Sequence, residues 1–365
     1  MRIAIFAISF CEYVIQLANA LAVRGHSVLL IFPLDLVQRT VGGSFQALLH
    51  SHVKAYLYDP SRRRRMGLYR DMLAALRRFD PEVIHFHENG ELEVLPILLR
   101  FQHLPKVLTV HDVTPHPGSS GWSVRRKLIA RLLASRADRI HVHSDGLKRS
   151  MARFRPHLSC NVDVIPHGSL NLFLHWALSD IVTEPSTCLF FGRMAYYRGL
   201  DNLMTIADLL KTMVSHCRII VAGCGPELRR HRSQLERMGV FEIHEAFIPD
   251  SQVHVFFRRA SLLLLPYHEA SQSGLLAMSL PFGLPVVAMA VGAIPEVIVD
   301  GVHGKLVPAG DTKAFADAVA SLLKLEALRS SMSRACLELA KEYNFTRLAP
   351  AYEQFYRNAI EGPLR

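Results

Sequence analysis

Met1-Arg-Ile-Ala-Ile-Phe-Ala-Ile-Ser9 is short and nearly all apolar, the pattern of a strand covered on both faces in a parallel sheet. A helical stretch, Tyr13 to Arg24, follows it and closes at Gly25, and a second apolar run covers Ser27 to Phe32. Strand, helix and strand in that order make a βαβ unit. The alternation recurs at Val83–His87, Lys106–His111, Arg139–His143 and Val162–Pro166, each separated from the next by a helical stretch. It then restarts at Cys188–Phe191, Arg218–Ala222, Ser261–Leu265, Pro285–Ala288 and Gly304–Val307. Repeated βα alternation implies open, doubly wound parallel sheets, and the restart implies two α/β domains.

The chain has 365 residues, 50% hydrophobic and 20% charged, which excludes a disordered or collagen-like chain and suits about two domains. We expect an N-terminal domain over 1–170, a second over 171–345, and an amphipathic C-terminal helix over 346–365 that packs back across the boundary. Trp176 to Glu184 reads as irregular linker. The net charge of +10 lies wholly in residues 1–170, where 23 basic residues face 13 acidic ones, while 171–365 is balanced. That asymmetry points one half toward an anionic partner: acidic lipid headgroups, a phosphorylated substrate or nucleic acid. The six cysteines show no CxxC pair and no zinc-ligand spacing, so neither a metal ribbon nor a disulfide framework is expected, and a reducing cytoplasm fits. No apolar run reaches the roughly 18–20 residues of a membrane span. Arg2, the apolar Ile3–Cys11 and Ala18-Asn19-Ala20 imitate a secretory signal, but Glu12 interrupts the run and the periodicity continues to Gly25, so we expect no cleavage.

Ligands of open α/β sheets bind at the carboxyl ends of strands, so the residues that follow each strand matter most. Gly192-Arg193 follows one strand, and Arg198-Gly199 opens a helix five residues later. Two guanidinium groups beside a glycine-flanked helix start can receive a diphosphate, although the same residues also fit two solvated surface arginines. Gly223-Cys-Gly225-Pro226 ends the next strand, where glycines admit a ligand or serve only as a tight turn. Pro266-Tyr-His-Glu-Ala-Ser-Gln-Ser-Gly274 follows the Ser261–Leu265 run and precedes a helical stretch from Leu275. It sets Glu269, Ser271, Ser273 and a glycine-fronted helix at one strand edge, a set suited to sugar hydroxyls and phosphate, or to plain helix capping.

In the first half His111-Asp112 ends a strand, where a histidine can bond or polarise a substrate, or simply be a satisfied core residue. His85, His87, His141 and His143 share strand faces in pairs without a carboxylate partner, so metal binding is not expected. Arg62, Arg63, Arg64 and Arg65 lead into a basic amphipathic helix carrying Met66, Leu68, Tyr69, Met72, Leu73 and Leu76, and Arg125, Arg126 and Lys127 form a second basic segment. Both suit contact with an anionic membrane surface, and both equally suit a helix whose apolar side packs on the sheet. No aromatic platform accompanies the charge, so nucleic acid is not expected.

Taken in order, these stations resemble bacterial members of glycosyltransferase family 4. The resemblance covers nearly the whole chain and rests on Phe191-Gly-Arg-Met-Ala-Tyr-Tyr-Arg-Gly-Leu200, Ile220–Pro226, Glu269 through Ala288, and Pro295–Pro308. It implies the GT-B fold, two Rossmann-like doubly wound domains facing across a cleft. It also implies retaining transfer from a UDP- or GDP-sugar to an acceptor hydroxyl without an essential metal or other cofactor. On this resemblance Arg193 and Arg198 hold the donor diphosphate with Gly192, Gly223, Gly225 and Pro226 nearby, Arg198 standing where the family usually has lysine. Ser271, Ser273 and the backbone of Gly274 and Leu275 would receive the distal phosphate, Glu269 the sugar hydroxyls, and His111 would sit beside the donor sugar. With the basic first half on the acceptor side, we expect a hexose to go to a lipid-linked or glycan acceptor of surface polysaccharide assembly, at the cytoplasmic face of the plasma membrane. Two departures stand out. Where the family usually has a second glutamate, this chain has Ala277, or Met278 in a shifted alignment, and the first strand turn has Ser9-Phe-Cys-Glu12 in place of a glycine pair. These leave open a non-catalytic, glycosyltransferase-like binding subunit or a sugar-nucleotide epimerase on the same fold.

Overall fold

The computed structural model describes residues 1–61, 65–87, 90–113, 123–177, 180–270 and 274–362. The chain forms two compact units. One holds Met1–Val113, a stretch ending at Gly168 and the C-terminal segment from Asn344, and the other holds Ser169–Tyr343.

The first unit is built on seven strands: β1 Arg2–Phe6, β2 Ser27–Pro33, β3 Val53–Tyr58, β4 Val83–His87, β5 Lys106–Thr109, β6 Arg139–Val142 and β7 Val162–Val164. They form one sheet in the order β3-β2-β1-β4-β5-β6-β7, and every pairing is parallel. The second unit has β8 Thr187–Phe191, β9 Arg218–Gly223, β10 Phe241–Glu245, β11 Leu262–Leu265, β12 Val286–Met289 and β13 Gly304–Val307. Their order is β10-β9-β8-β11-β12-β13, again all parallel. Helices between the strands cover both faces, which is why Leu262–Leu265 and Val286–Met289 in the second sheet are apolar throughout and wholly buried. The two all-parallel sheets are the two doubly wound α/β domains that the restart of the βα alternation implies.

Two strands escape the apolar-run criterion, Val53–Tyr58 and Phe241–Glu245. Both are sheet edges, half-exposed, and carry lysine, glutamate and histidine among their apolar residues. The C-terminal helix Phe345–Glu361 packs on the helix Cys11–Val23 and against β4, β5 and β6, with Tyr352, Phe355, Tyr356 and Ala359 buried. Its Glu353 binds Arg24 in bidentate fashion at 2.6 and 2.8 Å and His26 at 2.7 Å, and the Arg24 hydrogen bonds hold that carboxyl down at about 2.

Candidate active site

In the second sheet β8 lies between β9 and β11, so the chain departs to one side of β8 and later returns to its other side. The loops after β8 and β11 diverge at this switch point, where open α/β sheets take their ligands. Gly192-Arg193 follows β8, and Pro266 to Ala270 follows β11. The three candidates Arg193, Arg198 and Glu269 therefore gather at one strand edge of one unit.

Tyr197 ties them together. Its carbonyl accepts the His268 N–H at 2.9 Å and the Glu269 N–H at 3.4 Å, which clips the loop after β11 to the 3-10 turn Tyr196–Arg198. Its hydroxyl accepts from Arg198 Nε at 3.4 Å. Burial pushes the Tyr197 phenol up, but the adjacent Arg198 and Arg193 guanidinium groups outweigh it and bring it below its ordinary value. Arg198 is further fixed by donating Nη1 to the Tyr267 hydroxyl at 2.5 Å, and its guanidinium lies 5.0 and 5.6 Å from the Tyr267 and Tyr197 ring centres. Burial pulls the guanidinium down, yet Tyr267 and Tyr197 more than offset it, so the net shift is upward and the charge is secure. A rigid, aromatic-lined cation of this kind loses little entropy when it meets an anion. Arg193 is exposed. Behind this edge the Asn202 amide donates to the Pro266 carbonyl at 2.9 Å, and His268 bonds Asp201 at 2.8 Å while stacking on Tyr196 at 4.9 Å. Tyr197, Tyr267 and the Asp201–His268 pair were not among the sequence candidates, although Tyr197, Tyr267 and His268 lie within the quoted motifs and Asp201 directly follows one of them.

The glycines at this edge are fixed by backbone packing. A Cβ at Gly223, whose φ is +142°, would stand 1.9 Å from the Gly192 carbonyl oxygen, and one at Gly225 would stand 2.3 Å from that of Met194. The turns after β8 and β9 are thus pressed together, with Met194 N–H donating to the Cys224 carbonyl at 2.9 Å. Gly225 precedes the helix Pro226–Met238, which Pro226 opens. Gly274 begins the short helix Gly274–Ser279, and among the described residues nothing lies within 4 Å of where its Cβ would be. Leu275 is buried. Ser271 and Ser273 lie outside the described residues. Ala277, at the family's second-glutamate position, is buried, and its carbonyl accepts from Leu170 N–H at 2.8 Å.

His111 lies in the other unit, immediately past β5, inside a buried histidine network. The network's proton directions follow from Ile165, whose carbonyl only accepts. His141 Nε2 donates to it at 2.9 Å, so His141 Nδ1 accepts from Thr109 at 2.9 Å, Thr109 accepts from His85 Nε2 at 2.7 Å, and His85 Nδ1 accepts from the Tyr356 hydroxyl at 2.9 Å. By the same logic His143 Nδ1 faces Ile165 at 3.4 Å, His111 Nδ1 donates to His143 Nε2 at 3.1 Å, and His87 Nδ1 donates to His111 Nε2 at 3.2 Å. His87 Nε2 is then a buried lone pair without a hydrogen-bond partner among the described residues. Both ring nitrogens of His111 serve this network, while Phe10 stacks on its face at 3.9 Å. Burial, reinforced by the neighbouring rings, holds His85, His87, His111 and His143 well below the ordinary histidine value. Burial also holds His141 and His167 at about 4. The sequence placed His85, His87, His141 and His143 on shared strand faces. It did not reveal that Thr109, Ile165 and the C-terminal helix complete the chain of bonds.

The basic segments divide. Arg62, Arg63, Arg64 and the Arg65 side chain lie outside the described residues. In the helix Arg65–Phe79, Leu68, Met72 and Leu76 are buried in the core, so the apolar side expected to meet a membrane or the sheet packs inward. In the helix Val124–Ser135, Arg126 is not a free surface cation: it turns to Glu91 at 2.8 Å, and Arg125 reaches the same carboxylate at 3.8 Å. Lys127 is exposed. Among the described residues no group of three or more His, Cys, Asp or Glu is arranged to hold a metal, and no helix is long and apolar enough to cross a membrane.

Two family models match the chain, Glycosyltransferase Family 4 over residues 12–169 and Glycosyl transferases group 1 over residues 185–325. A phosphatidyl-myo-inositol mannosyltransferase of Mycobacterium leprae is 26% identical over 372 residues, which cover 94% of this chain and 91% of the relative. Among solved structures, sucrose-phosphate synthase of Thermosynechococcus elongatus aligns with a TM-score of 0.74 at 18% identity, over 100% of both chains. HepE of Anabaena in complex with UDP-glucose aligns with a TM-score of 0.70 at 15% identity, over 98% of this chain and 100% of that one.

Proposed function

Because this chain belongs to glycosyltransferase family 4 and has the GT-B fold, we propose that it moves a hexose from a UDP- or GDP-sugar to a hydroxyl of a lipid-linked glycan acceptor, with retention at the anomeric carbon. The observation that carries this reading is the Arg198 guanidinium held by Tyr197 and Tyr267, on the same loop as Arg193 and clipped to the Glu269 loop, at the switch point of the second sheet. The two guanidinium groups would take the donor diphosphate, Glu269 the sugar hydroxyls, and the backbone at Gly274 and Leu275 the distal phosphate. As the bond from the anomeric carbon to the phosphate oxygen breaks, negative charge grows on the departing diphosphate. Cations already fixed there stabilise that state more than the ground state. The acceptor oxygen forms the new bond on the same face, and its proton passes to the leaving phosphate. His111 would have to open one of its two bonds to His87 and His143 to offer a ring nitrogen to any ligand. Support for a nucleotide-sugar donor comes from the structural neighbour holding UDP-glucose, and support for a membrane-borne acceptor from the basic excess of the first 170 residues. On this reading the enzyme works at the cytoplasmic face of the plasma membrane without a metal.

The test is turnover with a panel of UDP- and GDP-sugars and a lipid-diphosphate-linked saccharide, read by nucleotide release and by NMR of the product. We expect one donor to give an anomer of unchanged configuration at a rate that EDTA leaves intact. An inverted anomer, or a rate abolished by EDTA and restored by a divalent ion, would overturn this mechanism. Interconversion of the free sugar nucleotide without an acceptor would identify an epimerase instead.

A further inference from the structure

The helix Val124–Ser135 carries two apolar faces. Ile129, Ala130, Leu133 and Ala134 are buried against the unit. Val124, Leu128 and Leu132, spaced four residues apart, lie on the opposite side and are 75%, 58% and 39% exposed. At about 100° per residue these three form a single outward stripe roughly 80° wide. On the same wheel Lys127 and Arg131 flank the stripe on one side, and Arg125 and Arg136 flank it on the other. All four are exposed. No acidic residue occurs between Asp112 and Asp138, and among the described residues Glu91 pairs with this helix through Arg125 and Arg126. The neighbouring helix Val94–Arg100 packs beside it and leaves Leu99 77% exposed, with Arg100 exposed as well. The helix Arg65–Phe79, by contrast, has Leu68, Met72 and Leu76 in the core and leaves Met66 as its one large exposed apolar residue among those described, so it offers no comparable outward stripe.

We propose that the outward face of the Val124–Ser135 helix inserts Val124, Leu128 and Leu132 into the headgroup and acyl boundary of an anionic lipid bilayer, with Lys127, Arg131, Arg125 and Arg136 pairing with lipid phosphates. An apolar ridge bordered by cations on both sides fits that boundary: the branched side chains enter the acyl region while the long basic side chains reach back to the headgroups. The charge complementarity selects a bilayer over a second copy of the chain, because two such faces would oppose like charges along their whole length. The inference rests on the peripheral membrane reading above and adds that binding has an apolar, inserted component at this helix.

The test is flotation of the full chain with vesicles of phosphatidylcholine alone or with 30% phosphatidylglycerol, for wild type and for the variant Val124→Ser/Leu128→Ser/Leu132→Ser. All three side chains point outward, so the variant should keep the wild-type melting temperature. We expect binding to the anionic vesicles only, weakened roughly tenfold or more in the serine variant, as befits the loss of three apolar contacts with the bilayer. In Leu128→Trp, fluorescence should shift to the blue and be quenched by brominated lipid beyond the parent. Anionic vesicle binding that is equal in wild type and serine variant would overturn insertion while leaving a peripheral, purely electrostatic association. No vesicle binding at all would overturn both. Sedimentation showing a dimer that the serine variant abolishes would assign the face to self-association and overturn the proposal. Donor turnover on a soluble acceptor, measured alongside, reports on the transferase reading independently of every vesicle result.

Discussion

Tyr267 decides how Arg198 meets an anion, because it supplies both the shortest hydrogen bond to the guanidinium and the nearer ring face. Tyr267→Phe keeps the ring and removes the hydroxyl. It should lower kcat/KM about fivefold, the value of roughly 1 kcal/mol for one such bond, with little change in melting temperature. Arg198→Lys keeps the charge but not the planar fork that reaches Tyr197, Tyr267 and the Phe191 carbonyl together. It should cost more than Tyr267→Phe in the same assay, and an equal or smaller loss would show that the fork is irrelevant. Gly223 differs in kind. Its Cβ would overlap the Gly192 carbonyl, so Gly223→Ala should destabilise the second unit by about 2–4 kcal/mol, seen as a lower midpoint in urea, whether or not donor is present. At this scale Arg193, Arg198 and Glu269 stood out in the sequence as candidates, since charged residues within the loops that follow buried strands are conspicuous. Tyr197 and Tyr267 were not, because a tyrosine in a strand-end motif looks like core until the partner of its hydroxyl is known. The glycines of Gly223-Cys-Gly225 were readable as constrained, but the cause, one strand-end turn pressed on another, needed coordinates.

At the scale of elements, the C-terminal helix belongs to the first unit although its sequence follows the second. Buried Tyr352, Phe355 and Tyr356 give it an apolar face, and the Arg24–Glu353–His26 cluster fixes its register against the first helix. Arg24 is 40% exposed, so the ion pair is partly screened, and Glu353→Gln should cost about 1–2 kcal/mol. Hydrogen exchange should then rise in Phe345–Glu361 before the sheet of the second unit is affected. Exchange that rises uniformly, or not at all, would count against this docking. The amphipathic pattern of this helix was evident from Leu348, Tyr352, Phe355 and Tyr356. The strands Val53–Tyr58 and Phe241–Glu245 were not evident, because an edge strand is paired on one side and half-solvated, and so carries the polar residues that an apolar-run criterion rejects.

The whole molecule's acid response follows from six buried histidines on the first unit. Each has its folded value lowered by burial, so the unfolded chain binds protons first, and stability that is complete above about pH 7.5 falls as pH drops from about 6.5 toward 4. Each such group contributes about 1.4 kcal/mol per pH unit within that window, so the first unit should lose on the order of 5 kcal/mol or more between pH 7.5 and 5.5. Glu353, held down at about 2, acts in the same direction lower on the scale, its contribution being present above about pH 4.5. Urea midpoints measured across this range should fall steeply for the first unit, and equal midpoints at the two pH values would contradict the neutral network. The division of charge between the halves was visible in composition alone. The commitment of one basic helix to the core, and of another to solvent, was not, since both read as amphipathic.

The central claim is that Arg193 and Arg198 form the receptor for a donor diphosphate, and calorimetric titration of UDP- and GDP-sugars into wild type, Arg193→Ala and Arg198→Ala tests it most directly. One sugar nucleotide should bind wild type and bind each variant at least about tenfold more weakly, the least expected for losing a charged hydrogen bond of about 1.5–3 kcal/mol, while the folded thermal transition is retained. Unchanged affinity in both variants, or no binding of any donor to the wild type, would contradict it.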